Sequence, residues 1–466
     1  MRRFSLTLLA AASLVHMAAS AGPSVYPTGT TLYDPARAWN GYTVLTPLGP
    51  HGAIVIDMNG NTVKQWPDLV GSSGGPARVL PGGFIVGAAD ARAGFQETHA
   101  LVQQDFAGNA VWRFDRSEEI RSTDGTLQWS ARQHHDWQRG DFPAGYYSPA
   151  ATPETSGVNT LILSHTSVTQ PNVADVLLQD DRIIEASWDG EVLWEWAASD
   201  HIDELGFAED ARDAIRNAPG PFAARNGFDW LHLNSATYVG PNRWHDAGDA
   251  RFAPENVIIS SRSANIVAIV SREDGSIVWR LGPDFRETEA TRAIRQIIGQ
   301  HHAHLIPPGL PGAGNMLIFD NGGSAGYGFA DPAAPNGTNS LTRASSRVLE
   351  IDPVTLEVVW SYTAGARFYS SNIAGMQRLP NGNTLITEGA GGRLFEVTAE
   401  GEIVWEYMSP YFSAQGPNQN NAVYRAYRFP YDWIPQLGRP QQAAVTPPPL
   451  SEFRVNRLGP MPAPAD

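Results

Sequence analysis

Residues 53–66 read AIVIDMNGNTVKQW, and this phrase decides the fold because it returns along the chain. It combines an apolar strand, a tight turn that usually contains Gly, and a second apolar run that ends in Trp. Further copies occupy residues 101–112, 183–194, 266–279, 348–360 and 394–405. Each copy has the alternation and the turn of a β-hairpin. An internal repeat of this kind predicts a circular or stacked array of small sheets.

A second phrase precedes most of these hairpins and consists of two apolar strands around a turn rich in Pro, Gly and Asn. Examples begin at Ala77 (ARVLPGGFIVGA), His304 (HLIPPGLPGAGNMLIFD) and Met376 (MQRLPNGNTLITE). The two phrases together supply four antiparallel strands per unit. We therefore predict an all-β chain that forms a six-bladed β-propeller with four-stranded antiparallel blades.

The ends of the chain predict how the ring closes. The first unit lacks its innermost strand, and one strand-like segment, NAVYRAYRF at 421–429, follows the sixth hairpin. We expect this C-terminal strand to complete the first blade. The predicted domains are a signal peptide at 1–21, a propeller at 22–440 and a Pro-rich tail at 441–466.

The predicted signal peptide has a basic start at Arg2 and Arg3, a short apolar stretch and a small-residue cleavage site at 19–21. This pattern is typical of a secretory signal, so we expect a periplasmic or secreted protein. No other apolar run is long enough to span a membrane.

Composition excludes several classes of function. The 33 basic and 48 acidic side chains give a formal charge of −15, which argues against nucleic acid as a partner. The chain has no cysteine, which excludes thiol nucleophiles and zinc–thiolate sites.

Long insertions mark one face of the predicted propeller as functional. They lead into first strands or join a second strand to a third, and they occupy residues 113–133, 197–231, 281–300 and 322–346. In a four-stranded blade these connections share the face at the channel mouth. Long loops on a rigid scaffold commonly carry function.

Histidines concentrate at the start of three first strands on this face. They lie in the segments QHHD at 133–136, DWLHLNS at 229–235 and QHHAH at 300–304. Arg262, at the end of the second strand NVIISSR, emerges on the same face. Imidazoles can donate, accept or attack, and a guanidinium offers a planar fork of donors, so the set suits an oxyanion.

At these residues the chain resembles the bacterial PAPS-independent arylsulfate sulfotransferases. The motifs that carry the resemblance are HHD at 134–136, DWLHLNS at 229–235, SSR at 260–262, QH at 300–301 and FDNG at 319–322. The resemblance covers most of the chain, from roughly Trp39 to Trp433. An insertion around 242–254 makes the spacing from His232 to Arg262 longer than the family pattern.

The resemblance implies a six-bladed propeller and a transferase. Such an enzyme moves a sulfuryl group from a small-molecule aryl sulfate to a phenolic acceptor through a sulfohistidine, without a cofactor. By position, His301 matches the nucleophile, and His135, His232 and Arg262 match the groups that hold the sulfate. Asn234, His302 and His134 are further candidates for substrate binding, and either His301 or His302 could be the nucleophile.

Two other functions stay open at this point. Three histidines on a propeller axis could bind a metal, as in lyases or oxygenases, although Arg262 beside them would repel a cation, and we predict no metal. A non-catalytic propeller that binds a ligand or a protein is the second alternative. The sequence leaves the oligomeric state and the identities of donor and acceptor open.

Overall fold

The computed structural model describes residues 27–71, 75–92, 94–121, 125–220, 227–327, 338–413 and 420–447. The predicted signal peptide and the part of the tail beyond residue 447 lie outside these residues. We number the strands in chain order.

The described residues form 29 strands and three α-helices. The strands of the first half are β1 Gly29–Tyr33, β2 Tyr42–Pro47, β3 Ala53–Ile56, β4 Thr62–Trp66, β5 Arg78–Leu80, β6 Phe84–Arg92, β7 Glu97–Gln104, β8 Ala110–Phe114, β9 Glu118–Arg121, β10 Leu127–Ser130, β11 Gln133–Arg139, β12 Thr160–Thr169, β13 Leu177–Ala186 and β14 Val192–Ala197. The strands of the second half are β15 Leu233–Tyr238, β16 Val257–Ser261, β17 Ile266–Val270, β18 Ile277–Leu281, β19 His301–Leu305, β20 Met316–Asp320, β21 Ala325–Tyr327, β22 Thr338–Leu341, β23 Arg347–Ile351, β24 Val358–Tyr362, β25 Gly375–Arg378, β26 Thr384–Glu388, β27 Arg393–Val397, β28 Ile403–Met408 and β29 Val423–Phe429. The helices are α1 Glu209–Asn217, α2 Arg243–Asp246 and α3 Glu289–Ile294.

The strands form an all-β propeller, but the sheets do not divide as predicted. Within the described residues, four sheets of four or five strands stand apart: β29-β2-β3-β4, β15 to β18, β19-β20-β23-β24, and β25 to β28 with β1. The strands β5 to β8 and β11 to β14 belong to one eight-stranded sheet, because Gln133 in β11 pairs with Thr98 in β7. Six separate four-stranded sheets, as the repeat predicted, are therefore not present in the described chain.

A Trp at or near the end of each repeat joins that repeat to the next one by a hydrogen bond. Its indole N–H donates to a backbone carbonyl in the hairpin turn of the next repeat, and the last bond returns to the first repeat. The bonds run from Trp66 to Asp105 (3.0 Å), Trp112 to Trp188 (2.8 Å), Trp196 to Gly275 (3.0 Å), Trp279 to Pro353 (2.8 Å), Trp360 to Ala399 (2.8 Å) and Trp405 to Met58 (2.8 Å). In the third copy the donor is Trp196, two residues beyond the Trp194 that ends the repeat.

The predicted closing strand is confirmed. β29 pairs antiparallel with β2, from Tyr42 opposite Phe429 to Pro47 opposite Val423. The strand β1, which the sequence analysis did not predict, pairs with β28 and extends the last sheet at its outer edge. Tyr33 in β1 also pairs with Val445 of the tail.

The long insertions fold into elements of their own. The first forms the hairpin β9–β10, the second carries α1, and the third carries α3. The fourth insertion contains β21, whose Tyr327 accepts a hydrogen bond from the Gly220 N–H and donates one to the carbonyl of Trp230. These bonds join the fourth insertion to the second, next to the start of β15.

Candidate active site

The first strands β11, β15 and β19 begin with the same irregular backbone conformation, which orients their histidines. His135, His232 and His302 have φ values of 53°, 52° and 55°. Three residues earlier, Arg132, Asp229 and Gly299 also have positive φ, at 48°, 48° and 59°. Positive φ is uncommon for residues other than Gly and often marks functional sites. By this pattern His302, and not His301, is the backbone equivalent of His135 and His232.

The four predicted catalytic side chains lie near one another. The rings of His135 and His232 meet edge to face with centroids 4.7 Å apart. His301 is electrostatically coupled to His135, His232 and Arg262. The backbone N–H of Arg262 donates to the His232 carbonyl at 3.0 Å, which places the guanidinium beside β15.

The side chain of His301 has a defined tautomer. Its Nδ1 lies 2.8 Å from Oδ1 of Asn321 and 3.1 Å from the carbonyl of Gly299. Asn321 donates from its own Nδ2 to the carbonyl of Ser370, so its oxygen is the atom that faces the imidazole. Since both partners are acceptors, Nδ1 must carry the proton, and Nε2 carries the lone pair. Burial, and then the charge of Arg262, hold the pKa of His301 well below its usual value, so the ring is neutral.

His302 is held in the opposite tautomer. Its Nδ1 accepts the backbone N–H of Met376 at 3.3 Å, so its proton lies on Nε2, which is 3.1 Å from the Tyr427 hydroxyl. Burial, and then the charge of Arg425, lower the pKa of His302. Both nitrogens of the neutral ring are therefore engaged by protein groups. These contacts do not favour the predicted role of His302 in substrate binding.

His134 is also turned into the protein. It is fully buried, its Nδ1 lies 2.8 Å from Nδ1 of His135, and its Nε2 lies 3.3 Å from Oδ1 of Asp181. Its ring stacks on that of His165 with centroids 3.7 Å apart and an angle of 14°. His134 thus supports His135 from behind, which again does not favour direct substrate binding.

The group His134, His165 and Asp181 is close enough to be considered as a metal site. One potential ligand atom from each lies within 4.8 Å of the other two. The two imidazole planes are nearly parallel, however, so the in-plane lone pairs of the rings do not converge on one point. A tetrahedral ion with two imidazole ligands requires such convergence, and the rings as they stand do not fit it.

Asn234 links two neighbouring first strands. Its side-chain Nδ2 donates to the backbone carbonyl of Gln300 at 2.7 Å. The backbone carbonyl of Asn234 accepts from Nη2 of Arg425 at 2.6 Å. Because one of its two N–H donors is occupied in this way, Asn234 fixes the position of the residue before His301. The predicted contact with sulfate would need the second donor.

A buried chain of charged groups stands behind His232, and most of its members lie outside the candidate residues that the sequence predicted. Nδ1 of His165 lies 3.0 Å from Oε2 of Glu97, and Nε2 of His165 lies 3.5 Å from Oδ1 of Asp229. Oδ2 of Asp229 accepts a hydrogen bond from Nδ1 of His232. His165 could have been found from the repeat, because it follows Ser164 in the second strand β12 as Arg262 follows Ser261 at the end of the second strand β16. Glu97 carried no comparable signal.

The charge states along this chain follow from the contacts. Burial would lower the pKa of His165, but its bonds to Asp229 and Glu97 raise it to about 9. Burial would raise the pKa of Glu97, but the hydrogen bond and the charge of His165 lower it to about 2. At neutral pH the two groups form a buried ion pair.

We predict that this pair gives the fold a defined pH window. The raised pKa of His165 contributes stability that is complete below about pH 6.5 and is lost as the pH rises through about 9. The lowered pKa of Glu97 contributes stability that is complete above about pH 4.5 and is lost as the pH falls through about 2. Both terms are on the order of 3 kcal/mol.

Thermal unfolding between pH 3 and pH 10 checks this prediction. Relative to wild type, Glu97→Gln should lose most stability between pH 4.5 and 6.5 and progressively less on the alkaline side. A difference that is constant across the whole range would contradict the assigned charges. His201→Gln, which removes a partly exposed His201–Glu204 pair, is the matched control and should show little effect.

Arg262 completes the site with a permanent charge. Burial lowers its pKa to about 10, so the guanidinium is still charged at neutral pH. A neutral imidazole with a free lone pair therefore stands next to a cation that can hold an oxyanion.

Comparison with known families supports the motif-based resemblance. The family model described as arylsulfotransferase (ASST) matches residues 96–428. The chain belongs to the arylsulfotransferase family. This range includes every side chain assigned above to the candidate site. No curated protein matches the sequence.

Solved structures similar to this arylsulfotransferase family member are remote in sequence. A protein of unknown function from Bacteroides caccae is 11% identical, with a TM-score of 0.43, and the match covers 84% of this chain and 98% of that one. A putative 6-phosphogluconolactonase from Bacteroides fragilis is 11% identical, with a TM-score of 0.34 and coverage of 85% and 100%. Virginiamycin B lyase from Staphylococcus aureus is 10% identical, with a TM-score of 0.33 and coverage of 73% and 85%.

Among the described residues, no helix is long and apolar enough to cross a membrane.

Proposed function

We propose that the protein is an aryl sulfotransferase that moves a sulfuryl group from a phenolic sulfate ester to a phenol through a sulfohistidine on His301. The observation that carries the proposal is the tautomer of His301. Its Nδ1 carries the proton and donates it in a hydrogen bond to Oδ1 of Asn321, at 2.8 Å. Its Nε2 lone pair therefore remains for attack, next to Arg262.

The first half-reaction is an in-line displacement at sulfur. The Nε2 lone pair of His301 forms the N–S bond while the S–O bond to the aryl group breaks and its electron pair leaves with the phenolic oxygen. As in phosphoryl transfer, positioning and electrostatic stabilisation of the equatorial oxygens supply most of the catalysis. Arg262, His135 and His232 are the groups that hold these oxygens. In the second half-reaction the acceptor phenol takes the sulfuryl group from His301.

The low pKa of His301 serves this mechanism. A neutral imidazole is the nucleophilic form, and burial and the charge of Arg262 keep the ring neutral. The covalent intermediate splits one difficult displacement into two and predicts ping-pong kinetics.

The architecture and the location form part of the proposal. The eight-stranded sheet reads as two blades joined at the Gln133–Thr98 pair, which would make six blades in all. The predicted signal peptide at 1–21 supports export to the periplasm or beyond.

A chromogenic aryl sulfate, incubated with the purified protein with and without an added phenol, tests the function. A transferase releases the chromophore catalytically only when the acceptor is present, and the acceptor gains one sulfuryl mass. Release that does not depend on the acceptor would indicate a hydrolase. No release with any of several donors would favour a ligand-binding propeller.

The alternative of a metal-dependent enzyme is tested by removing metal. We expect transfer activity to survive dialysis against a chelator, because Arg262 lies beside the histidines and the rings of His134 and His165 are nearly parallel. Metal analysis before and after dialysis is the control. Stoichiometric metal, with activity that is lost on its removal and regained on its return, would overturn the sulfotransferase assignment.

A further inference from the structure

The side chains of Glu97, His165, Asp229 and His232 form a continuous chain that crosses from β7 through β12 to the entry of β15. The two contacts of His165, at 3.0 Å to Glu97 and 3.5 Å to Asp229, use both of its nitrogens. Asp229 then uses its second oxygen for Nδ1 of His232. The side chains of Glu97 and His165 are fully buried, and that of Asp229 is 3% exposed.

Charge alternates along this chain. Arg132 and Arg92 pair with Glu97 on its outer side. Glu97 is negative, His165 is positive and Asp229 is negative. The contacts of Asp229 with two imidazoles hold its pKa well below the usual value despite its burial. Asp229 therefore stays ionised beside the imidazole of His232.

His232 is the most exposed of the four side chains. Its side chain is 12% exposed, and its ring meets that of His135 at 4.7 Å. Because Nδ1 is held by Asp229, Nε2 is the atom that faces the reacting groups. A carboxylate on one imidazole nitrogen fixes the ring orientation and stabilises the imidazolium form, as in hydrolase triads.

We propose that Asp229, backed by His165 and Glu97, positions His232 to act as the acid and base of the two half-reactions. This inference rests on the proposed function and changes one role in it: Nε2 of His232 serves the phenolic oxygen, because Nδ1 is bonded to Asp229, and Arg262 and His135 hold the sulfuryl oxygens. In the first half-reaction, Nε2 of His232 gives a proton to the phenolic oxygen as the S–O bond breaks. In the second, Nε2 takes the proton of the acceptor phenol while its oxygen forms the new S–O bond and the N–S electron pair returns to His301. The enzyme ends each cycle with its protons unchanged.

The dependence of the rate on the leaving group tests this role. A donor series of aryl sulfates from 4-nitrophenyl to unsubstituted phenyl is mixed with enzyme in the absence of acceptor, and the burst rate of phenol release is measured. Protonation of the leaving oxygen matters most for the most basic phenol. Asp229→Asn should therefore slow the burst about 10²–10⁴-fold with phenyl sulfate and much less with 4-nitrophenyl sulfate.

A matched control lies close by in the sequence. Asp180 is also a buried carboxylate, but it accepts from Nε1 of Trp230 at 2.8 Å and from the backbone of Ser199 at 3.0 Å. Within the described part of the chain it has no bond to a histidine. Asp180→Asn should change the burst rates of all donors by the same factor. His165→Gln should steepen the leaving-group dependence less than Asp229→Asn, and it provides a second test if Asp229→Asn does not fold.

A double variant separates positioning from a merely structural effect. In the His232→Gln background, Asp229→Asn should add no further leaving-group dependence, because the effect passes through His232. A uniform loss across the donors in both Asp229→Asn and His165→Gln would overturn the inference while leaving the proposed function intact. A wild-type enzyme that shows no burst and no sulfuryl adduct would instead overturn the proposed function.

Discussion

His301→Asn should abolish both the covalent adduct and turnover. Wild-type protein mixed with an aryl sulfate and no acceptor should gain one sulfuryl mass, located on the peptide that contains His301. The variant should show no adduct, and transfer should fall by about 10³-fold or more, as expected when a nucleophile is removed. Intact-protein and peptide mass spectrometry, together with steady-state transfer rates, measure both effects.

Asparagine is the appropriate replacement because it separates the two nitrogens of the imidazole. Its Nδ2 can take the place of Nδ1 and donate to Asn321, which preserves the bond that orients the side chain. It has no atom in the place of Nε2. A loss of activity at unchanged melting temperature therefore reports the missing lone pair and not a disturbed fold.

Variants of two further histidines serve as controls for His301→Asn. His302→Asn removes contacts to Met376 and Tyr427, so it should lower stability and slow transfer but leave the adduct on His301. His245→Asn, on the exposed helix α2, should leave adduct and rate unchanged. If His302→Asn abolishes the adduct and His301→Asn does not, the nucleophile is His302, and if neither matters, the sulfohistidine mechanism is wrong.

The repeat carried most of the fold because its residues are used for local and neighbouring contacts. The alternating runs and turns became hairpins, and the terminal Trp became the donor that joins each unit to the next. The division into sheets was wrong because Gln133 and Thr98 pair across two units, a contact between residues 35 apart that no local pattern encodes. The strand β1 was missed because GTTLY at 29–33 matches neither phrase of the repeat.

The site was predictable as a set of residues but not as a set of chemical states. Motifs selected His135, His232, His301 and Arg262, and the fold brings these four together. The tautomers depend on partners distant in sequence, such as Asn321 for His301 and Met376 for His302, and no spacing rule supplies them. Glu97 and His165 were missed because neither lies at the start of a first strand, where the histidine motifs are found.

The second large effect concerns the closing strand. Truncation after Asn420 should yield insoluble or protease-sensitive protein, although no residue of the proposed catalytic group is removed. The cut removes β29 and leaves the inner edge of β2 without its partner from Tyr42 to Pro47. An unpaired sheet edge exposes backbone donors and acceptors and favours aggregation.

The truncation removes the side chains of β29 as well as its backbone hydrogen bonds to β2, so the loss of folding stability is larger than the loss of those hydrogen bonds alone. Arg425 pairs with Asp136 at 3.1 Å, and Arg428 pairs with Glu396, with all four side chains fully buried. Removing one partner of a buried pair typically costs about 3–5 kcal/mol because the other charge stays buried. Glu396 loses its Arg428 partner in this way, whereas Asp136 keeps its pair with Arg78 at 2.9 Å. The loss at Glu396, added to the lost ladder and side-chain burial of β29, approaches the ~5–15 kcal/mol that keeps a domain folded. Tyr424 also donates to the carbonyl of His135 at 2.9 Å, so the cut would loosen the active-site entry as well.

Truncation after Pro447 is the matched control. It keeps β29, and it keeps Val445, whose backbone pairs with Tyr33, so we expect solubility, melting temperature and transfer to change little. Solubility after expression, limited proteolysis and thermal unfolding compare the two truncations with the full chain. Arg428→Met within the full chain tests the ion pair separately and should destabilise without exposing the edge of β2. A soluble and active protein that ends at Asn420 would contradict this account of ring closure, because the pairing of β2 with β29 would then contribute little to the native state.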